Sequence, residues 1–301
     1  MSVKKETSAS RLVECADCAS KSSRFGKPAL FPRFLSRALR LTVMASACIC
    51  GAVFVFVIGY ILINGIPHIS LDLFAWTYTS DNVSLMPALI NTLTITLLSL
   101  LLAAPMGVFA AIYLVEYARR GNGLVQVIRT TAETLSGIPS IVYGLFGYLF
   151  FVIAVGWGYS LISGAFTLAI MILPLIIRTT EEALISVPDS FREGSFGLGA
   201  GRLRTVFKIV LPSAVPGILA GMILAIGRVV GETAALIYTA GTVTDVAGIM
   251  DSGRTLSVHM YALTNEGLYL NQSYATAVVL LFIVAGINAL SAFAAKKITR
   301  R

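Results

Sequence analysis

Charge is scarce in this sequence. Asp, Glu, Lys and Arg make up only 13% of the 301 residues, whereas 56% are apolar, a balance outside the range of ordinary soluble domains. Residues 41–71, 82–115, 134–177 and 267–295 carry no charge at all. Histidine is confined to His68 and His259, and cysteine to Cys15, Cys18, Cys48 and Cys50. The two histidines are too far apart in sequence to suggest a site. The CADC at 15–18 has no second cysteine pair or nearby histidine to complete a zinc site, so it reads as two reduced thiols in a tail. Cys48 and Cys50 fall in an apolar run and read as packing residues. The phosphate-cradling loop of an ATPase is missing too, because the one Gly-Lys pair, Gly26-Lys27, is followed by Pro28. No nucleophile, base and orienter stand together. The expectation is a chain without covalent chemistry, metal or cofactor. Any ATP hydrolysis it uses comes from a separate partner.

What is present is apolar length. A helix that crosses a membrane needs about 20 apolar residues. The long run at 134–177 holds two such helices, separated by the turn sequence GWGYS at 156–160. Six transmembrane helices are expected, at about 41–64, 87–117, 134–155, 160–186, 212–240 and 272–295. The fold class is all-α, a polytopic membrane protein. Its parts read as a disordered basic tail over 1–38, a first helix and external loop over 39–86, a main transmembrane domain over 87–295, and a basic end over 296–301. The first apolar run is too long for a cleaved signal.

Basic residues set the orientation. Nine lie in residues 1–40, and four more (Lys296, Lys297, Arg300, Arg301) follow the last run. Residues 64–87 have none, and residues 241–272 only Arg254. The positive-inside rule then places both termini and the 188–211 loop in the cytoplasm. The net charge of +8 is thereby explained by topology, with no folded basic surface for nucleic acid.

The longest cytoplasmic connection, residues 187–217, reads VPDSFREGSFGLGAGRLRTVFKIVLPSAVPG. A helix-like stretch at 190–196 meets a break at Gly197, Gly199 and Gly201, and an apolar and basic stretch at 203–211 ends at Pro212. Two short helices with a sharp bend are expected, stiff enough to transmit force; an amphipathic loop lying on the lipid surface is the other reading. The segment resembles the EAA loop of ABC-importer permeases. Glu193, Gly194 and Ser195 stand where that motif has Glu-Ala-Ala, and Gly199, Ile209, Leu211 and Pro212 follow at its spacings. Over about residues 85–295 the chain also resembles PstA-type phosphate permeases, on SGIPSIVYGLFG (136–147), MILPLIIRTTEEAL (171–184) and GRVVGETAAL (227–236).

The resemblance implies a type I ABC-importer permease fold in a cytoplasmic (inner) membrane, with loop 188–212 coupling it to ATPases. It also implies a homologous second permease subunit, two copies of an ATP-binding subunit and an external phosphate-binding protein. Arg178 is carried over as a substrate-pathway residue. Importers of sulfate or molybdate, and an ion-coupled secondary transporter, remain alternatives.

GRVVGETAAL also raises a physical question. On the expected helix 212–240, Arg228 and Glu232 stand four apart. An Arg at a transmembrane helix centre costs about 2.5–3.5 kcal/mol on insertion scales, and an i, i+4 pair returns only about 0.2–0.5 kcal/mol. Arg228 lies about 24 Å along the helix from Pro212, so both charges should face a protein-lined polar pathway. A guanidinium makes bidentate bonds to phosphoryl oxygens. Glu232 could orient it or accept a proton-bearing phosphate oxygen, which sulfate lacks. A buried ion pair joining two helices is the structural alternative. Pro139 and Pro174 are expected to interrupt the third and fourth helices. Loop 241–272, with Met260, Tyr261 and Leu263, reads as a dock for an external protein or as a re-entrant plug.

Overall fold

A computed structural model describes residues 30–119, 121 and 123–299. The CADC, Arg120, Arg300 and Arg301 lie outside the described residues, as does the expected tail up to residue 29. Regular structure among the described residues is entirely helical. Contacts divide the chain at residue 60 into two compact units.

In the first unit, helix α1 (Leu30–Gly65) begins ahead of the apolar run at residue 41 and continues past the unit boundary. Its apolar side chains, Leu41, Phe54 and Phe56 among them, are exposed, as suits a surface solvated by lipid.

The second unit opens with 3₁₀ turns at Ile66–His68 and Leu71–Phe74. Helix α2 (Met86–Ile112) follows and ends in a π-turn, Tyr113–Tyr117. Next come α3 (Gly123–Ser136), α4 (Ser140–Gly147) with a π-turn at Tyr148–Ala154, and α5 (Leu161–Ile185). The cytoplasmic loop forms α6 (Asp189–Gly197) and α7 (Arg202–Thr205), and a third π-turn, Val206–Val210, leads into α8 (Leu211–Val230). Helices α9 (Ala234–Thr239), α10 (Leu256–Glu266) and α11 (Leu270–Thr299) complete the chain. Among the described residues, five helices are long and apolar enough to cross a membrane, or six if α3 and α4 count as one bent span.

Helix α5 is the axis of this unit. Its Leu161, Leu168, Ile172 and Ile176 are fully or almost fully buried, in one core with Ile95 of α2, Val229 of α8 and Leu236 of α9. Small residues let the backbones approach, as membrane helices require in the absence of a hydrophobic drive between them. A Cβ on Gly107 would lie 2.6 Å from the Ile176 side chain, and one on Gly221 would collide with Thr179. Hydroxyls within α2 are satisfied locally: Thr96 Oγ donates to Thr92 O at 2.6 Å and Ser99 Oγ to Ile95 O at 2.7 Å.

Two expected helices are discontinuous. The span placed at 134–155 is bent by 101°. Thr134 belongs to α3, and the chain turns through Gly137 to Pro139, whose ring disfavours helix in the preceding residue. Tyr143 Oη caps the exposed end of α3 by donating to Leu135 O at 2.8 Å. The apolar arm, residues 140–154, is about 22 Å long at 1.5 Å per residue, short of the ~30 Å hydrocarbon core. The span placed at 212–240 stops at Val230, where the Gly231 N–H closes on Gly227 O, and restarts at Ala234. Pro174, by contrast, lies inside an unbroken α5, so the expected interruption there is absent.

The two ends of the unit differ in construction. At one, residues 239–255 strap across neighbouring elements: Leu161 N donates to Asp251 O and Ile162 N to Ile249 O. Buried Asn91 holds this strap, donating to Asp245 O and Arg254 O and accepting from Ala247 N. The opposite end carries α6, α7 and the π-turn after α2.

Candidate functional site

The 188–212 loop is two short helices around a sharp break, as its spacing predicts. The break has a definite geometry. Gly199 sits at φ +80°, its N–H donates to Phe196 O, and Ala200 N–H donates to Ser195 O. This is the Schellman arrangement that closes a helix with a left-handed residue, for which Gly is the natural choice. Ser195 does not face outward as the expected contact surface would have it. It is buried, and its hydroxyl pairs with Thr205 Oγ1 at 2.8 Å, fixing α6 on α7. Its smallness serves the bend. Glu193 and Gly194 are exposed, as are Phe191, Leu198 and Leu203. Leu211 and Ile209 are partly buried at the entry to α8, with Pro212 at its start.

The loop is anchored by Arg192, one of the basic residues in the 188–211 segment. Arg192 donates from Nη2 (2.8 Å) and Nε (3.1 Å) to one oxygen of Glu116, from Nη1 to Val187 O at 2.7 Å and from Nη2 to Leu184 O at 2.9 Å. Both charged partners are largely buried. One side chain thus ties α6 to the π-turn after α2 and to the open carbonyls at the end of α5. The signal available in sequence was Glu116 itself, the first charge after 34 uncharged positions. A cavity of about 620 Å³ opens beside this pair, with Arg119, Arg129, Asp189 and Arg202 in its wall. Arg129 also forms an ion pair with Glu181, joining α3 to α5.

Arg178, on the same side, is exposed and pairs with Glu182 at 3.1 Å, one turn along α5. It borders a smaller cavity of about 260 Å³ with Glu133 and Glu181. Arg228 is not part of that cavity's wall.

Arg228 and Glu232 form no ion pair with each other, which was the structural alternative. The i, i+4 relation fails because α8 ends between them. Arg228 stands in the last turn of α8, where the helix dipole favours a cation. It is half-buried, with no ion-pair partner among the described residues, and lies within electrostatic reach of the Tyr143 phenol. Glu232 is buried in the break, where its Oε1 accepts from Ala235 N at 3.1 Å and so caps α9. Its backbone carbonyl accepts from Ser257 Oγ of α10. The discontinuity between α8 and α9 meets the bend between α3 and α4: a Cβ on Gly144 would lie 2.7 Å from the Ala235 Cα. Non-helical backbone within a membrane is tolerated where protein or a polar path covers it. Broken helices of this kind form the substrate sites of many transporters.

Loop 241–272 is less external than expected. Val258 and Leu263 of α10 are fully buried, and Val258 belongs to the central core, so α10 is packed into the protein. His259 is buried too, and burial with the neighbouring Arg254 charge pushes its pKa down to about 3, against a smaller raising effect from the Val83 backbone.

Residues 103–301 match the family model described as the binding-protein-dependent transport system inner membrane component. A probable ABC transporter permease protein, YqgI of Bacillus subtilis, is 38% identical over 239 residues, covering 74% of this chain and 81% of that protein. The phosphate transport system permease protein PstA 2 of Mycobacterium bovis is 35% identical over 223 residues, 71% of this chain and 73% of its own. Among solved structures, a bacterial alginate ABC transporter in complex with its alginate-bound periplasmic protein superposes with a TM-score of 0.60 at 18% identity, over 88% of this chain and 99% of that one. The inward-facing MetNI methionine ABC transporter gives 0.55 at 20%, over 69% and 93%.

Proposed function

The chain belongs to the family of inner-membrane components of binding-protein-dependent transport systems, and from that premise we propose that it is the translocating permease subunit of an ATP-driven phosphate importer. The observation that carries the reading is the unpaired Arg228 beside the meeting of two broken helices. A half-buried guanidinium without a carboxylate partner among the described residues offers a forked donor set to a tetrahedral anion. Placement at a helix C-terminus lowers the cost of the cation while the site is empty. The phosphate transport named for the similar permease of Mycobacterium bovis supports the choice of anion.

In this reading the chain hydrolyses no ATP. Two ATP-binding subunits dock on α6 and α7, where Phe191, Leu198 and Leu203 present apolar surface that a partner would cover. A second, homologous permease and an external phosphate-binding protein complete the assembly, and both termini are cytoplasmic. Closure of the ATPases moves α6. Arg192 passes that motion to α2 through Glu116 and to α5 through the Leu184 and Val187 carbonyls. The pathway then alternates between two states biased by nucleotide.

Reconstitution with its partner subunits tests the reading. ATP-dependent uptake of labelled phosphate, displaced by unlabelled phosphate and not by sulfate or molybdate, is expected. Uptake driven by a proton gradient without ATPase, or displaced equally by sulfate, would contradict it.

A further inference from the structure

A second cation waits without a partner at the end of the unit opposite α6. Arg254 is only 4% exposed. Its main chain is fixed on both sides, by its N–H on Val243 O at 2.8 Å and by Asn91 Nδ2 on its carbonyl at 3.2 Å. The guanidinium lies over the Tyr78 ring, 4.6 Å from its centroid. Nε and Nη2 are enclosed and make no hydrogen bond, and no carboxylate among the described residues lies within ion-pair distance. A buried charge with unfilled donors is costly in a protein interior. Stacking on an aromatic face offsets part of that cost but fills none of the N–H positions.

Arg254 forms part of the wall of a cavity of about 360 Å³, with Tyr78, Thr242, Thr244, Tyr261 and Asn265. The volume is ample for a tetrahedral oxyanion and several waters, and the hydroxyls and amide supply donors in addition to the guanidinium. Of the lining residues only Glu266 is acidic, and it is exposed at the end of α10. The cavity also touches Ile237 of α9. Three residues beyond Arg254, Ser257 binds the Glu232 carbonyl, so the same helix that borders the cavity closes on the break beside Arg228.

We propose that this cavity is an entry site for phosphate, anchored by Arg254, at which the anion waits before it reaches the helix break. The inference rests on the phosphate-import reading and adds a station to it. Arg254 supplies the charge-assisted donors, Tyr78 holds the guanidinium in place, and Thr242, Thr244 and Asn265 complete the rim.

The test uses a reporter thiol in the assembled transporter. With the four native cysteines replaced by serine, Ala262→Cys places a thiol on the cavity wall without removing a donor. Ile237→Cys, also on the cavity wall and not a donor, is the second reporter, should the first variant fail to assemble. An anionic thiosulfonate reagent is added from outside, with and without inorganic phosphate. Phosphate should slow labelling by about tenfold, the effect of one charge-assisted contact. That protection should vanish in Arg254→Gln and persist in part in Arg254→Lys. Labelling that phosphate does not slow, or slows equally in Arg254→Gln, overturns the proposal, as does protection by sulfate without protection by phosphate. Phosphate uptake by the reporter protein is measured in parallel. Uptake without protection removes the entry site alone, whereas absence of phosphate uptake in the unsubstituted protein removes the transport reading itself.

Discussion

Arg192 grips a single oxygen of Glu116 from two nitrogens, Nη2 at 2.8 Å and Nε at 3.1 Å, across 76 residues of sequence. The same guanidinium caps the end of α5. Removing the carboxylate leaves a largely buried cation with only the exposed Asp189, 3.1 Å away, as an ionic partner, a loss that approaches the cost of about 3–5 kcal/mol for breaking a buried pair. Glu116→Ala should therefore lower the melting temperature of the detergent-solubilised protein and reduce uptake. The double replacement Glu116→Leu with Arg192→Leu should recover only part of the stability, because the Leu184 and Val187 carbonyls lose their donor. Full recovery in the double variant would mean that the ion pair, and not the α5 cap, is what Arg192 provides.

Gly199 tests the bend of the coupling loop. At φ +80° a side chain costs about 1–2 kcal/mol, least for Asn. Gly199→Asn should keep most ATPase association and uptake, whereas Gly199→Val should lose both with the protein still inserted. Co-purification of the ATPase with each variant is the measurement, and equal retention by both would remove the bend from the coupling mechanism.

The contact between the two broken helices is tested at Gly144. No side chain fits where a Cβ would lie 2.7 Å from Ala235 Cα and 3.2 Å from its carbonyl oxygen. Gly144→Ala must push α4 from α9, so uptake should fall sharply. Gly123→Ala, where nothing lies within 4 Å, should be neutral in the same assay.

His259 predicts a direction of pH dependence. Its pKa is lowered from 6.5 to about 3 in the folded chain, so below pH 6.5 the unfolded state takes up a proton that the folded state refuses. Stability is fully present above pH 6.5 and falls with acidification toward pH 3, by up to about 1.4 kcal/mol per pH unit. His259→Gln should flatten the loss of melting temperature between pH 6.5 and 5. An unchanged slope would assign the acid sensitivity to other groups.

Much of this was legible in the residues, and the failures have physical causes. The charge-free runs marked the spans because a membrane interior enforces apolar composition, and the glycines at 197–201 marked the loop because left-handed turns favour glycine. Composition does not register a break of only three residues, Gly231, Glu232 and Thr233, inside a long apolar run. Residues 212–240 therefore read as one helix, and the i, i+4 spacing of Arg228 and Glu232 depended on that continuity. The interruption expected at Pro139 is present, but a proline does not fix the size of a bend, and the chain turns by 101°. Arg192 and Arg254 look in sequence like ordinary loop charges. Their roles depend on partners, or on missing partners, that only the tertiary arrangement brings into view.

The central claim is that Arg228 meets the transported anion and is not a strut. Its most direct measurement is ATP-dependent phosphate uptake in assembled transporters bearing Arg228→Gln, Arg228→Lys or Glu232→Gln. Loss of charge-assisted contacts worth about 1.5–3 kcal/mol predicts a fall of about tenfold or more for Arg228→Gln, with membrane levels and ATPase association unchanged. Lys, which keeps the charge and loses the fork, should restore part of it. Glu232→Gln should be milder, since its amide oxygen can still accept from Ala235 N. Near-normal uptake by Arg228→Gln would contradict the account, whatever the other two variants did.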